Sequence, residues 1–273
     1  MRLIAYAATD HGRRRAQNQD SVLCYTMPAN GTPAGVYAVA DGMGGQSGGE
    51  IASQITIETL RQDLRHFIDR SVGLFSSQID DGATTRLSEH EPADDVANLS
   101  MVDVLSEAII RTNNRIREYG EANPESAGLG STLTITMVLG DLALIGNVGD
   151  SRTYLVRNGT ISRLTQDHSL VNSLVRQGLI SEDDVYSHPH RNLVYQALGT
   201  KADISPDIFM QRLQPGDILL LCSDGLWEMV RDDSIRQVLE AQEDPEQAAT
   251  HLVDLANANG GVDNISVVVI RVS

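Results

Sequence analysis

Little in this sequence suits it to nucleic acid or lipid. Aromatic residues make up 4% of the 273-residue chain, with one tryptophan and three phenylalanines, so platforms for stacking bases are scarce. Positive charge is the minority sign: 21 Lys+Arg stand against 37 Asp+Glu, a formal net charge of −16, which disfavours phosphate backbones and anionic membrane surfaces. No run approaches the roughly 18 apolar residues of a spanning helix, and the opening MRLIAYAATDHG turns polar too early for the apolar core of a signal segment. Cysteine is limited to Cys24 and Cys222, each inside an apolar run, which reads as buried free thiols in a reducing compartment. The expectation is a cytoplasmic protein with no nucleic-acid and no membrane partner.

What the chain does have is core material. Apolar residues are 41% of the total, an ordinary share for a globular protein of a size that buries most of its surface without disulfides or structural metals. We expect one domain over 1–273. Short β-branched or alternating runs predict strands near 2–8, 20–27, 34–40, 131–139, 142–148, 151–157, 204–211, 217–222 and 264–272. Ile51, Ile55, Leu60, Leu64 and Phe67 recur at helical spacing, as do Val102, Leu105, Ile109 and Ile116. Pro245 opens a further helix that Gly260 and Gly261 close. This order does not alternate strand and helix, which argues for an α+β protein: a β-sandwich of two antiparallel sheets flanked by helices, in αββα layers. Asn158-Gly159 marks a hairpin turn. The polar, acidic, aperiodic stretch 76–100 reads as a surface insertion, and 166–199 as a small helical, flap-like excursion.

The chemistry lies in a recurring placement. Asp41 ends the strand VYAVAD, Asp150 ends LALIGNVGD and Asp224 ends DILLLCSD, while Asp20 opens SVLCYT and Asp263 opens the run to ISVVVI. Asp-Gly at any one of these places is ordinary turn chemistry, but turns do not require an acid every time. Two carboxylates about 4 Å apart repel by about 4 kcal/mol at an effective dielectric near 20. Five that converge need protons or cations, and all-oxygen ligands select hard divalent ions such as Mg²⁺ or Mn²⁺. Two such ions about 3.5–4 Å apart lower the pKa of a shared water, so the spacing predicts a two-metal hydrolase. Arg13-Arg14-Arg15 is the only dense basic run, and it lies five residues from Asp20, close enough for one guanidinium to fork onto a phosphate.

Other matches carry less. Gly45-Gln46-Ser47-Gly48-Gly49 fits G-x-S-x-G, yet Ser47 lies six residues past Asp41, too far for a strained strand-to-helix nucleophile turn. His188 and His190 flank a proline in a polar loop and read as surface residues. His168 reads as structural, and Trp227 and Phe209 as core. A binding module that kept the fold without the chemistry would be expected to lose metal aspartates, and all five are here.

Taken in order, GRRRAQNQD, VADGMGG, GSTLTITMV, GNVGDSR, LTQDHS, SDGLWEMV and DNISVVVI resemble the successive motifs of the metal-dependent protein serine/threonine phosphatases, the type 2C family, in its bacterial form. The match spans about 12 to 270. It implies a binuclear Mn²⁺/Mg²⁺ centre in which Asp41 bridges the ions, the Gly42 carbonyl completes one, Asp224 and Asp263 bind the other, and Asp20 orients a metal-bound water. Asp150 with Asp224 matches a third-metal site, and Arg15 the phosphate-binding arginine. Asp41, Asp224, Asp263 and Asp20 are thereby the expected catalytic set. The resemblance further implies hydrolysis of phosphoserine and phosphothreonine in proteins without a phosphoenzyme. Phosphoprotein partners, among them a serine/threonine kinase, and a monomeric state complete the expectation. Two departures stand out: Gln19 replaces the glutamate that many members have before the first aspartate, and Met43 stands where eukaryotic members carry a histidine.

Overall fold

The computed structural model describes residues 1–27, 32–44, 48–79, 93–126 and 128–273. In chain order its elements are β1 (Leu3–Asp10), β2 (Asp20–Thr26), β3 (Ala34–Met43), α1 (Gly48–Ile79), α2 (Ala93–Ala122), β4 (Gly130–Ser131), β5 (Leu133–Leu139), β6 (Leu142–Val148), β7 (Arg152–Arg157) and β8 (Thr160–Arg163). There follow α3 (Leu170–Arg176), β9 (Asp207–Arg212), β10 (Ile218–Cys222), α4 (Asp224–Trp227), α5 (Asp232–Ala241), α6 (Pro245–Ala258) and β11 (Ile265–Val272).

The strands make two antiparallel sheets. One runs β1-β11-β10-β7-β8; the other runs β2-β3-β5-β6-β9, with β4 paired to the end of β3. Their facing sides share an apolar layer in which Leu155, Leu219, Leu221, Val268 and Ile270 of the first sheet meet Tyr37, Val39, Val138 and Ile145 of the second. The outer face of the second sheet is covered by α1 and α2, which bring Leu60, Leu64, Leu105 and Ile109 onto Ala38, Ile135 and Leu144. On the other side α5 and α6 bring Ile235, Leu239, Leu252 and Ala256 onto Leu220, Val267 and Val269. The result is the four-layer αββα sandwich, and central strands such as β3 and β10 are buried on both faces, which is why they read as continuous apolar runs.

Local chemistry sets the ends of elements. Asn158 and Gly159 both take positive φ, 51° and 77°, and turn β7 into β8 as a two-residue hairpin loop. Asp244 caps α6 by accepting from the Glu246 N–H, Pro245 fills the first turn, and Gly260 and Gly261 end the helix with φ of 132° and 50°. Gly146 lets α2 approach β6: a Cβ there would stand 2.8 Å from Ile109 Cδ1.

The expected ranges need two corrections. Helix α1 reaches Ile79 and α2 begins at Ala93, so helical backbone covers both ends of the 76–100 stretch, and 80–92 lies outside the described residues. Cys24 is free but exposed, because β2 is an edge strand and this residue faces outward; Cys222 is free and buried as expected. Trp227 is buried, whereas Phe209 on edge strand β9 is partly so. The 166–199 excursion contains α3 and a 3₁₀ turn at Asp183–Tyr186, and bridges Ser169↔Val194 and Ser131↔Leu198 close its base. Among the described residues no helix is long and apolar enough to cross a membrane.

Candidate active site

The antiparallel register does what five separate sequence positions cannot do alone: it gathers their aspartates at one end of the sandwich. Asp20 opens β2 directly opposite Asp41 near the end of β3. Asp150 follows β6, and Asp224 follows β10 at the start of α4. Asp263 lies in the turn that feeds β11, whose first residues meet the end of β10 through the Ser223 N–H to Ser266 carbonyl bond of 3.0 Å. Asp20 and Asp150 are buried at the base of the cluster, while Asp41, Asp224 and Asp263 keep part of their surface open to solvent.

Two glycines make this packing feasible. A Cβ on Gly42 would lie 2.0 Å from the Gly49 carbonyl, so the end of β3 and the start of α1 touch backbone to backbone. A Cβ on Gly225 would lie 2.0 Å from the Asn264 carbonyl, so α4 rests directly on the turn that carries Asp263.

The acids feel one another. Removal from water raises the Asp41 carboxyl well above the ordinary range, and the charges of Asp20, Asp224, Asp150 and Asp263 push it further. Asp224 is raised for the same reasons, by burial first and then by Asp150 and Asp263. Burial and the Asp263 charge bring Asp20 to about 6 despite hydrogen bonds that favour its anion. Burial and the Asp167 charge bring Asp150 to about 7. Among the described residues the cation in ion-pair contact with the five acids is Arg15, whose Nη2 donates to Asp263 Oδ2 at 2.6 Å, and that bond together with the charges of Asp224 and Asp41 raises the guanidinium pKa.

The donor set fits divalent metal. Asp20 Oδ1 and Asp224 Oδ1 are buried acceptors without a hydrogen-bond partner, the situation that a hard cation relieves. Every expected ligand is an oxygen. As they stand, however, no three acid, imidazole or thiol groups among the described residues form a ready-made cage. Asp263 is turned onto Arg15, and Asp20 Oδ2 accepts from Ser223 Oγ at 2.8 Å.

Several supporting residues escaped the sequence reading. Asn264 ties the turn before β11 to the β1–β2 connection: its Nδ2 donates to the carbonyls of His11 (3.0 Å) and Gln17 (2.9 Å), and its Oδ1 accepts from the Gln19 N–H at 2.9 Å. Trp227 Nε1 donates to the Asp150 carbonyl at 3.0 Å, and Arg152 stacks over its ring while pairing with buried Asp167. Glu228, one helical turn after Asp224, is held by Arg191 of the 166–199 excursion at 3.3 Å. The signal was present only as neighbours: Asn264 follows Asp263, and Ser223 precedes Asp224. Gln19 contributes backbone bonds here, and Met43 pairs with Gly130.

Other singled-out residues stand elsewhere. His190 is exposed and His188 half-buried, with rings 5.7 Å apart, and neither forms an ion pair with the five aspartates among the described residues. His168 is structural: its Nδ1 accepts from the Gly149 N–H at 3.2 Å and its Nε2 bonds Asp207 at 3.1 Å. Gly45, Gln46 and Ser47 of the G-x-S-x-G match lie outside the described residues.

A two-sheet αββα sandwich with an oxygen-only acid cluster at one rim defines a class, and the comparisons name it. The family model for Protein phosphatase 2C matches residues 8–257, and the chain belongs to that family; it is an enzyme, a protein phosphatase of the 2C type. It is 33% identical over 263 residues to the serine/threonine phosphatase stp of Listeria monocytogenes, covering 96% of this chain and 93% of that one. It is 35% identical over 268 residues to the serine/threonine protein phosphatase PstP of Mycobacterium tuberculosis, covering 98% of this chain but 45% of that longer one. The S. agalactiae serine/threonine phosphatase superposes with a TM-score of 0.80 at 33% identity, covering 99% of this chain and 100% of that chain. The catalytic domain of PstP in complex with two manganese ions gives 0.76 at 31% identity, covering 99% of each.

Proposed function

We propose that this protein hydrolyses phosphoserine and phosphothreonine esters in other proteins, with Asp41, Asp224, Asp263, Asp20 and Asp150 holding divalent ions and Arg15 taking the phosphoryl oxygens. The observation that carries this reading is the convergence of five strand-end aspartates beside one exposed arginine. Asp41, the Gly42 carbonyl, Asp224 and Asp263 are the residues that would hold two Mn²⁺ or Mg²⁺ ions, as the manganese-bound PstP relative suggests, and Asp150 with Asp224 would hold a third. Such ions supply, when bound, a water of lowered pKa and neutralisation of developing charge.

The chain's own groups do the rest. Asp20 Oδ1, an open acceptor at the buried base, orients a water for attack on phosphorus, and Ser223 Oγ fixes the other oxygen of that carboxylate. The Arg15 fork, its side chain 54% exposed, presents parallel N–H donors suited to two phosphoryl oxygens. No side chain serves as a covalent nucleophile in this reading. Cys24 faces outward from β2, Cys222 is buried inside β10, and the Ser223 hydroxyl is committed to Asp20.

Substrates of this kind are phosphoproteins, among them a serine/threonine kinase, met by a monomer in the cytoplasm. The test is p-nitrophenyl phosphate hydrolysis, first with EDTA and then with added Mn²⁺. Activity that disappears with chelation and returns with metal supports the proposal; turnover indifferent to EDTA removes the metal assignment.

A further inference from the structure

The three arginines at 13–15 are unusual in a chain that has only 21 basic residues and a net charge of −16. Arg15 is engaged with Asp263, but Arg13 and Arg14 are exposed, and neither forms an ion pair among the described residues. A run of this sort on a flexible loop would be an ordinary solvated patch. This one is built into the rim of the site.

Its backbone is fastened from four directions. Gly12, at φ 78°, donates its N–H to Asp10 Oδ1 at 2.8 Å, and Asn257 Nδ2 holds the same oxygen at 3.0 Å. The Arg13 N–H donates to the Gly261 carbonyl at 2.7 Å, and a Cβ on Gly261 would lie 2.8 Å from Arg13 Cγ. Asn264 clamps the carbonyls of His11 and Gln17 on either side of the run. The turn carrying the arginines and the turn carrying Asp263 are therefore one unit. Pre-organised charges lose little freedom on binding, which is how a small number of exposed arginines comes to matter.

We propose that Arg13 and Arg14 select the substrate sequence: they pair with anionic residues flanking the phosphorylated side chain, so the preferred substrates are phosphopeptides with Asp, Glu or a second phosphoresidue nearby. Neighbouring residues of an extended chain rise about 3.3–3.6 Å each, so Arg13 lies at most about 7 Å of backbone from Arg15, which places the second anion about one to three residues from the first. Elsewhere the molecule's charge repels acidic peptides, and the turn supplies the local exception. The inference rests on the phosphatase reading of the site, and p-nitrophenyl phosphate, which has no flanking residues, checks that reading separately.

The experiment compares matched phosphothreonine peptides with Glu or Ala flanks, using the Mn²⁺-loaded wild type and the double variant Arg13→Ser/Arg14→Ser. Each rate is referred to the same protein's rate on p-nitrophenyl phosphate. Wild type should favour the acidic peptide by about three- to tenfold in kcat/KM, through KM, and the double variant should lose that preference. The ratio should fall as NaCl rises from about 0.05 to 0.5 M, because attraction between exposed charges is screened. Equal rates on both wild-type peptides, a preference that survives in the double variant, or a ratio that grows with salt would each overturn the proposal. The salt series uses wild type alone, so it decides the matter even if the double variant misfolds. Failure of wild type on p-nitrophenyl phosphate would instead strike the phosphatase reading.

Discussion

At the scale of single residues, the cluster separates charge-bearing groups from those that hold them. Asp41→Asn and Asp263→Asn keep size and hydrogen bonding but remove a ligand charge, so each should reduce Mn²⁺-dependent turnover by at least about a hundredfold while circular dichroism stays native. Near-normal rates in either would contradict the ligand assignment. Asn264→Ala removes three hydrogen bonds of the site and should lower stability by about 2–3 kcal/mol, seen as a reduced Tm. The same change loosens the turn carrying Arg15, so KM for phosphopeptides should rise more than kcat falls. How much was legible in the chain also divides at this scale. The five aspartates and Arg15 were readable because an acid at a strand end leaves a plain mark beside an apolar run. Asn264, Ser223 and Trp227 were not, since each acts through partners 41 to 253 positions away, and no spacing in the chain reveals that.

Elements were legible in proportion to their burial. Strands β3, β5, β10 and β11 are buried almost throughout, and their contiguous aliphatic residues announced them. Strand β8, with two exposed positions in four, was legible only through the Asn158-Gly159 turn that leads into it, and the first turns of α2 (ADDVANLS) are too polar to show periodicity. Cys24 misled for a related reason: an apolar neighbourhood does not tell an edge strand from a central one. Two predictions belong here. Gly146→Ala should cost about 1–3 kcal/mol, because a methyl would press on Ile109 and Ile135 where α2 meets β6; an unchanged Tm would mean that the helix yields freely. Asp167→Ala strands the buried guanidinium of Arg152 and should cost about 3–5 kcal/mol, measurable by urea unfolding.

For the whole molecule, the apolar layer shared by both sheets couples them, so 1–273 should unfold in one cooperative transition in calorimetry; two resolved transitions would divide the chain. The acid cluster also ties stability to pH and metal. A carboxyl whose folded-state pKa is raised favours the fold while protonated; that contribution is complete below about 3.9 and is lost as pH climbs through about 6 for Asp20 and about 7 for Asp150. In EDTA the Tm should therefore fall between about pH 5 and pH 7.5, less steeply in Asp20→Asn, and Mn²⁺ should raise it more at the higher pH. A metal response independent of pH would uncouple the two. The 166–199 excursion has its own consequence. Two bridges close its base, Ser169 to Val194 within the excursion and Ser131 of β4 to Leu198, while Arg191 reaches Glu228 beside the acids. Yet Asp167 on this segment pairs with buried Arg152, and Val171 and Val185 sit in the core beside Trp227, so a relative's segment grafted here would leave the sandwich whole only if it kept those three anchors.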